Sequence, residues 1–168
     1  MPDYDPGSPS PERTHPAKTA EMSSELPFQA IESPYLIADP SRALCQAIGL
    51  LGLIGHDAAA RSVKLRYDVR PEFCHSNGTM AQGGFITAWL DHAMASAVVL
   101  DSEGESNVSS LEIKVSFLEA VRPGVVIAEG RVLRRGKRVA FLEARLFDQT
   151  ERLLATASSS GMLVPYKP

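Results

Sequence analysis

Asp91 is the residue whose type and setting most suggest chemistry. Between Gly83 and Leu100 the only ionisable side chains are Asp91 and His92. Around them Phe85, Ile86, Trp89, Leu90, Met94, Ala97 and Val98 fall at helical spacing, and the other positions are mostly Ala, Thr or Ser. A helix that is apolar or small on every side is expected to be buried on every side. Burying a carboxylate is costly unless something pairs with it, and perturbed acids concentrate where chemistry is done. On charge chemistry alone, a structural cap or bridge accounts for Asp91 equally well. The stretch before the helix adds a second feature. Gln82-Gly83-Gly84 opens it without a capping Ser, Thr or Asp. The first turn of a helix leaves N–H groups unpaired, and the dipole adds positive character there. Two glycines let another molecule approach that backbone closely. Such a terminus suits a carbonyl oxygen that turns negative during acyl transfer. Taken alone, a Gly-Gly pair is equally a plain flexible turn.

Other combinations carry less. His75 and His92, with Cys74 and Asp91, lack the spacing of a zinc motif, so no metal is expected. His92 lies about 100° around the helix from Asp91 and is expected to face elsewhere, as a structural or interface histidine. Arg134, Arg135, Lys137 and Arg138 surround Gly136 in a basic turn, which is most often a solvated hairpin. Nucleic-acid binding would need interleaved aromatics and a broader basic face. No nucleophile elbow or Ser-His-Asp order is present.

The elements that must position these residues follow from periodicity. Residues 1–25 are rich in Pro, Ser, Thr and charge and read as a disordered tail. Residues 26–168 read as a single domain. Leu26 to Ala38 suits a short strand or extended arm. Asp39-Pro40 looks like an N-cap with proline at the first helical position. Leu44, Ala47, Ile48 and Leu51 then predict a short amphipathic helix ending near Gly52 or Gly55. From Ser62 the period becomes two, with Val63, Leu65, Tyr67 and Val69 on one face of a strand that Pro71 ends. After the long helix comes a polar turn from Asp101 to Asn107. Four strands are expected in succession: Leu111 to Phe117, Val125 to Leu133, Val139 to Asp148 and Leu153 to Val164. Pro123-Gly124 is read as the first of the turns between them. The predicted class is α+β, a curved antiparallel sheet wrapped around one long central helix. One sheet does not easily cover every side of such a helix, so a partner subunit is expected.

Composition sets outer bounds. The chain has 168 residues and a net charge of -3, which gives no general attraction to nucleic acid or acidic membranes. No apolar run reads as long enough to cross a bilayer, and no secretory signal is recognisable. Cys45 and Cys74 are far apart, which fits a reducing compartment and a cytoplasmic location.

These residues together resemble the hotdog-fold acyl-CoA thioesterases of the phenylacetate-pathway, or PaaI-like, type. That family's motif reads roughly Asn-x-x-Gly-x-x-[His/Gln]-Gly-Gly, then an Asp in the central helix. Gln82-Gly83-Gly84 and Asp91 match it in kind and spacing. Ser110 to Gly124 resembles the family's next strand and turn, and Arg135-Gly136-Lys137 with Val139-Ala140-Phe141 resembles its following hairpin. The resemblance runs from about Ser62 to Val164. It implies hydrolysis of an acyl-CoA thioester without a cofactor. The Gly83 amide would polarise the carbonyl, and Asp91 would act as general base or nucleophile. Gln82 would hydrogen-bond the carbonyl without donating a proton as imidazolium would, and Ser110 would help position water. The family's Asn falls at Ser76 here, with Asn77 next. Either Asn77 reaches the same place through a tightened loop, or Ser76 takes over. Under this resemblance Arg134, Arg135, Lys137 and Arg138 would hold the CoA phosphates. The protein would form a homodimer, or a dimer of dimers, without nucleic-acid or membrane partners. The alternative is a non-catalytic hotdog domain that binds acyl-CoA or a lipid-like ligand.

Overall fold

The structure, a computed structural model, describes residues 42–166. The expected tail, the Leu26–Ala38 arm and the Asp39-Pro40 cap lie outside the described residues. In order, the elements are α1 (Arg42–Ala47), β1 (Leu50–Asp57), β2 (Ser62–Val69), a 3-10 turn (Pro71–Phe73), β3 (Cys74–His75), β4 (Met80–Ala81), α2 (Gly83–Asp101), β5 (Ser106–Phe117), β6 (Gly124–Arg135), β7 (Val139–Asp148) and β8 (Leu153–Pro165). Six strands form one antiparallel sheet in the order β1-β2-β6-β7-β8-β5, and β3 pairs with β4 in a small hairpin. Helix α2 packs against β2, β5, β6, β7 and β8, so the sheet wraps the helix as the expected α+β architecture requires.

Two rows of side chains fix the register. Val63, Leu65, Tyr67 and Val69 of β2 all face inward and are buried, as are Ala140, Leu142, Ala144 and Leu146 of β7. Fully burying a Val or Leu side chain stabilises by about 1.5–3 kcal/mol, whereas a surface ion pair contributes about 0–1 kcal/mol. A one-residue slip would turn either row to solvent, so the apolar pattern rather than any charge pair sets the pairing. Where β6 crosses α2, Gly130 has no side chain because a Cβ there would stand 2.1 Å from the Ala93 carbonyl oxygen. The Trp89 indole N–H donates to the Ile48 carbonyl at 2.8 Å and ties the end of α1 to α2.

Three expectations about the elements need correction. The first helix ends at Ala47, not at Gly52 or Gly55, and after Ile48 and Gly49 the eight residues Leu50–Asp57 form strand β1. Gly49, at φ +75°, breaks the helix, and its carbonyl accepts the Asp68 N–H at 2.8 Å, which starts the pairing with β2. Leu44 is accordingly 62% exposed while Ile48 is buried; the apparent helical stripe spans two different elements. Second, the last four strands follow in succession but do not all pair in chain order. β5 pairs with β8 at the edge of the sheet, and β6 takes its place beside β2. The Leu118–Pro123 segment therefore crosses over instead of turning back. It is held by the Leu118 and Glu119 N–H groups donating to the Leu154 carbonyl, and by the Val121 carbonyl accepting from Ala81. Third, α2 is long and apolar enough by length and composition to cross a bilayer, contrary to the sequence expectation. In the fold it is the core helix, with half of that stretch buried.

The expected all-round burial of α2 is also incomplete. Ile86, Trp89, Leu90, Ala93, Met94 and Ala97 are buried under the sheet. Gly84, Thr87, Ala88, Asp91 and Ala95 are not fully covered, and their spacing puts them on one face. That open face lies beside β5, an edge strand of twelve residues whose outer side pairs with nothing among the described residues. The opposite edge, β1, is interrupted by two register shifts, near Gly52 and Gly55.

Candidate functional site

The site is built from the two ends of α2's open face. At the start, the β3–β4 hairpin delivers Gln82 to the helix as its N-cap, with φ -70° and ψ 137°. The Gln82 N–H donates to the Phe73 carbonyl at 2.9 Å. Its side-chain Oε1 accepts the Gly84 N–H at 2.5 Å. The helix is thus capped after all, by a residue type outside the usual capping set. Gly84 permits this, because a Cβ there would stand 2.7 Å from that oxygen. The Gly83 N–H has no acceptor among the described residues, and no acid sits in the first turn. It is an unpaired donor at the positive end of a nineteen-residue helix. The tip of the Phe117 ring lies over Gly83, with Cζ 3.2 Å from where a Cβ would be. Phe117 is 55% exposed and forms an apolar wall beside that donor. In the sequence it was only one member of an alternating strand, and nothing local signals its contact with Gly83.

Two turns further along, Asp91 is half-buried rather than buried on every side. The Ser110 hydroxyl donates to Asp91 Oδ1 at 2.7 Å. Ser110 reaches the helix from β5 next to a register shift between Ser110 and Glu112. The structure therefore brings Asp91 and Ser110 together, and the second carboxylate oxygen takes no hydrogen bond among the described residues. His92 turns the other way. Its Nδ1 lies 2.8 Å from the Tyr67 hydroxyl and its Nε2 3.7 Å from Cys45 Sγ. Burial pushes the imidazole down from its ordinary value, with the Asp91 charge opposing.

Ser76 and Asn77 occupy the β3–β4 loop, both at positive φ, with Gly78 following in the same conformation. The Ser76 hydroxyl and His75 Nδ1 are 2.8 Å apart, and the Ser76 carbonyl accepts from Thr79 at 2.7 Å. The Asn77 side chain is exposed and makes no hydrogen bond among the described residues. Neither side chain is hydrogen-bonded to Gln82, Gly83 or Asp91. Among the described residues no group of three His, Cys, Asp or Glu side chains is placed to hold a metal.

The basic turn sits at the other end of α2, and its four cations are not equivalent. Arg135 Nε pairs with Asp101 Oδ2 at 2.8 Å, and Arg61 grips the same carboxylate with Nε at 2.5 Å and a second nitrogen at 2.8 Å. An acid at a helix C-terminus meets the negative end of the dipole, and the two guanidinium groups offset that. The Arg61 hydrogen bond holds Asp101 below the ordinary carboxylate range, helped by the charges of Arg61 and Arg135. Arg135 is thus committed to the fold. Arg134, Lys137 and Arg138 are exposed and form no ion pair among the described residues.

Comparison with known proteins bears on this geometry. The family model of the thioesterase superfamily matches residues 79–155. That span includes Gln82, Gly83, Asp91, Ser110 and the basic hairpin. A candidate esterase of Saccharolobus solfataricus is 28% identical over 145 residues, covering 85% of this chain and 96% of the relative. A Ralstonia eutropha structure, described as a candidate thioesterase related to phenylacetic acid degradation, is 28% identical. It covers 74% of this chain and 92% of its own, with a TM-score of 0.66. A Streptococcus mutans protein bound to acetyl-CoA shares the fold at a TM-score of 0.60 and 14% identity, over 69% of this chain and 90% of its own.

Proposed function

We propose that the chain is a thioester hydrolase of the thioesterase superfamily, with the hotdog fold of the PaaI-like proteins it resembles, and that it hydrolyses acyl-CoA at a site shared by two copies. The carrying observation is the arrangement on α2. An unpaired N–H at Gly83 and a serine-held carboxylate at Asp91 lie on one helix whose face is left open. The thioester carbonyl accepts from the Gly83 N–H. The Gln82 amide nitrogen is a second donor, since only its oxygen is used in the cap. Either Asp91 takes a proton from water as the water oxygen attacks the carbonyl, or Asp91 attacks the carbonyl itself to give an acyl-aspartyl anhydride that water then hydrolyses; in both, the C–S bond breaks and the CoA thiolate leaves. Negative charge on the carbonyl oxygen then meets a donor and a helix dipole already in place.

The free edge of β5 and the small residues Gly84, Thr87, Ala88 and Ala95 support a second copy docked against this face. The acetyl-CoA on the Streptococcus mutans relative supports the CoA ester. The exposed Arg134, Lys137 and Arg138 are then the cations for the phosphates. A cytoplasmic setting is part of the same proposal; no disulfide joins Cys45 and Cys74. The test is release of free thiol across an acyl-CoA panel by wild type and by Asp91→Asn. Wild type should turn over at least one acyl-CoA, and the variant should lose about 10²–10⁴-fold in turnover with the fold intact. Silence across the panel would remove the CoA substrate, and an unimpaired variant would remove Asp91 from the chemistry.

A further inference from the structure

Phe117 stands over the Gly83 donor, and the hydrolysis proposed above leaves it without a task. Its place follows from the strand. Ile113, Val115 and Phe117 alternate onto one side of β5. Ile113 and Val115 pack against the core, whereas Phe117 does not join it and is 55% exposed. What it meets instead is the first residue of α2. Its Cζ, Cε1 and Cε2 lie 3.2, 3.5 and 3.8 Å from where a Gly83 Cβ would be. The tip of the ring therefore points at the glycine, and the rest of the ring stands clear. Among the described residues no other aromatic ring pairs with it.

The backbone that carries the ring is tied to the backbone that carries the donor. Phe117 pairs with Ala155, and the next two N–H groups donate to the Leu154 carbonyl at 2.9 and 3.0 Å. Four residues on from Phe117, the Val121 carbonyl accepts the Ala81 N–H at 2.8 Å, and Ala81 directly precedes the Gln82 cap. At a helix start, the N–H and the Cα–Cβ direction both lean toward the N-terminal side. A carbonyl oxygen accepting the Gly83 N–H, at about 2.9 Å, is therefore on the side where the ring tip sits. C=O and C–C bonds of about 1.2 and 1.5 Å keep the first acyl carbon close to that oxygen. The acyl carbons after it come within contact range of the ring, about 3.5–4.0 Å. An apolar chain there covers apolar surface that otherwise faces water. Acetyl, with a single carbon beyond the carbonyl, is too short to cover it.

We infer that Phe117 is the acyl-selecting residue of the site: its ring takes the first carbons of an unbranched apolar acyl chain and favours such esters over acetyl-CoA. The inference rests on the acyl-CoA reading above. One methylene in an enclosed apolar pocket discriminates by about 10–200-fold. A half-exposed ring is only one wall of such a pocket, so across several carbons it should contribute about tenfold.

The test measures kcat/KM by thiol release for acetyl-, butanoyl- and hexanoyl-CoA, with native mass recorded for every variant. Wild type should rise from acetyl to hexanoyl. Phe117→Ala should lower the hexanoyl-to-acetyl ratio about tenfold, and Phe117→Leu, which keeps an apolar side chain, should recover part of it. Leu118→Ser changes a neighbour of similar exposure, 53%, and should leave the ratio as in wild type. The ring lies outside the core, so neither Phe117 variant threatens the fold. A ratio that is unchanged or rises in Phe117→Ala overturns the inference. A KM raised alike for all three esters assigns the ring to the pantetheine arm and overturns it. An equal loss on all three with an altered native mass makes the ring a contact between copies and overturns it as well. Each of these leaves the acyl-CoA reading standing. Silence of wild type on every ester removes that reading, and this inference with it.

Discussion

A shared site makes a prediction that can be worked from the helix itself. Gly83 and Asp91 are eight residues apart in α2, so their backbones are separated by about 12 Å along the axis at about 1.5 Å per residue. An oxyanion donor and a base acting on one carbonyl must both lie about 3 Å from the reacting atoms. An aspartate side chain spans only a fraction of the gap, so one helix cannot supply both. Two antiparallel copies can. The perturbation is a pair of variants, Gly83→Pro and Asp91→Asn. Proline deletes the N–H at a first helical position, where it is well tolerated. Gly83 is not among the glycines at positive φ, and Gln82 already has the extended backbone that a residue before proline needs. The Phe117 ring, 3.2 Å from the new Cβ, must shift by a few tenths of an ångström, and it is exposed enough to do so. Losing one oxyanion donor costs about 10²–10³-fold in turnover, so each variant alone should be nearly silent. Unfolded and refolded together in equal amounts, they pair at random. Half of the dimers are then mixed, and each mixed dimer has one intact site and one doubly broken site. About a quarter of wild-type activity should return in a thiol-release assay. If mixed dimers form, shown by mass-tagged subunits, and no activity returns, the two groups do not act across an interface.

Three further outcomes follow from individual contacts. Ser110→Ala removes the 2.7 Å hydrogen bond to Asp91; at about 1.5–3 kcal/mol for a bond to a charged group, turnover should fall about tenfold or more with KM little changed, and a KM effect alone would assign Ser110 to binding. Lys137→Glu with Arg138→Glu should raise KM for acyl-CoA about tenfold while leaving a truncated acyl-pantetheine untouched, since only the former carries the nucleotide phosphates; equal effects on both substrates remove the phosphate role. Arg135 is left intact in that experiment because it is part of the fold. Asp101→Asn should destabilise by about 1–3 kcal/mol at pH 7 in urea unfolding. Because the native carboxyl is held below its unfolded value, its contribution is present above about pH 4 and is lost as pH falls through the native value. The gap between wild type and Asp101→Asn should therefore narrow at pH 3, and a gap that widens on acidification contradicts the ion-pair account.

What could be read from the sequence was what depends on local pattern. β2 and β7 alternate cleanly, so their inward rows were visible, and one acid in an apolar helix singled out Asp91. β1 was missed because Leu50–Asp57 does not alternate and the apolar residues before it mimic a helical stripe until Gly49 breaks the backbone. The pairing of β5 with β8 was missed because strand order is set by which edges remain open once the sheet wraps α2, and no residue in β5 records it. The Gln82 cap escaped notice because a long side chain can double back over Gly84 only when that residue has no Cβ. Arg135 and Asp101 are both legible, the first as a turn cation and the second as the start of a polar turn. Their pairing depends on where the β6–β7 hairpin lands, which only the three-dimensional arrangement decides.

The open face of α2 also dictates how two copies must meet if Gly83 of one is to face Asp91 of the other. In an antiparallel pair the two-fold axis passes the midpoint of those residues, which is Thr87. Thr87 stands at the centre of the uncovered stripe, with Gly84 and Ala88 beside it and Ala95 beyond Asp91. Its hydroxyl donates to the Gly83 carbonyl one turn back, so its polarity is satisfied within the helix and the crossing point makes no polar demand on the partner. Small side chains at the crossing are what close helix approach requires, and a carboxylate flanked by alanines can reach past its own backbone. The same alignment carries α2 ten residues beyond Asp91 to Asp101, about 15 Å further along. Arg135 there anchors the hairpin that bears Lys137 and Arg138. Under the proposed shared site, the subunit that supplies the base would also supply the phosphate cations, while its partner would supply the oxyanion donor.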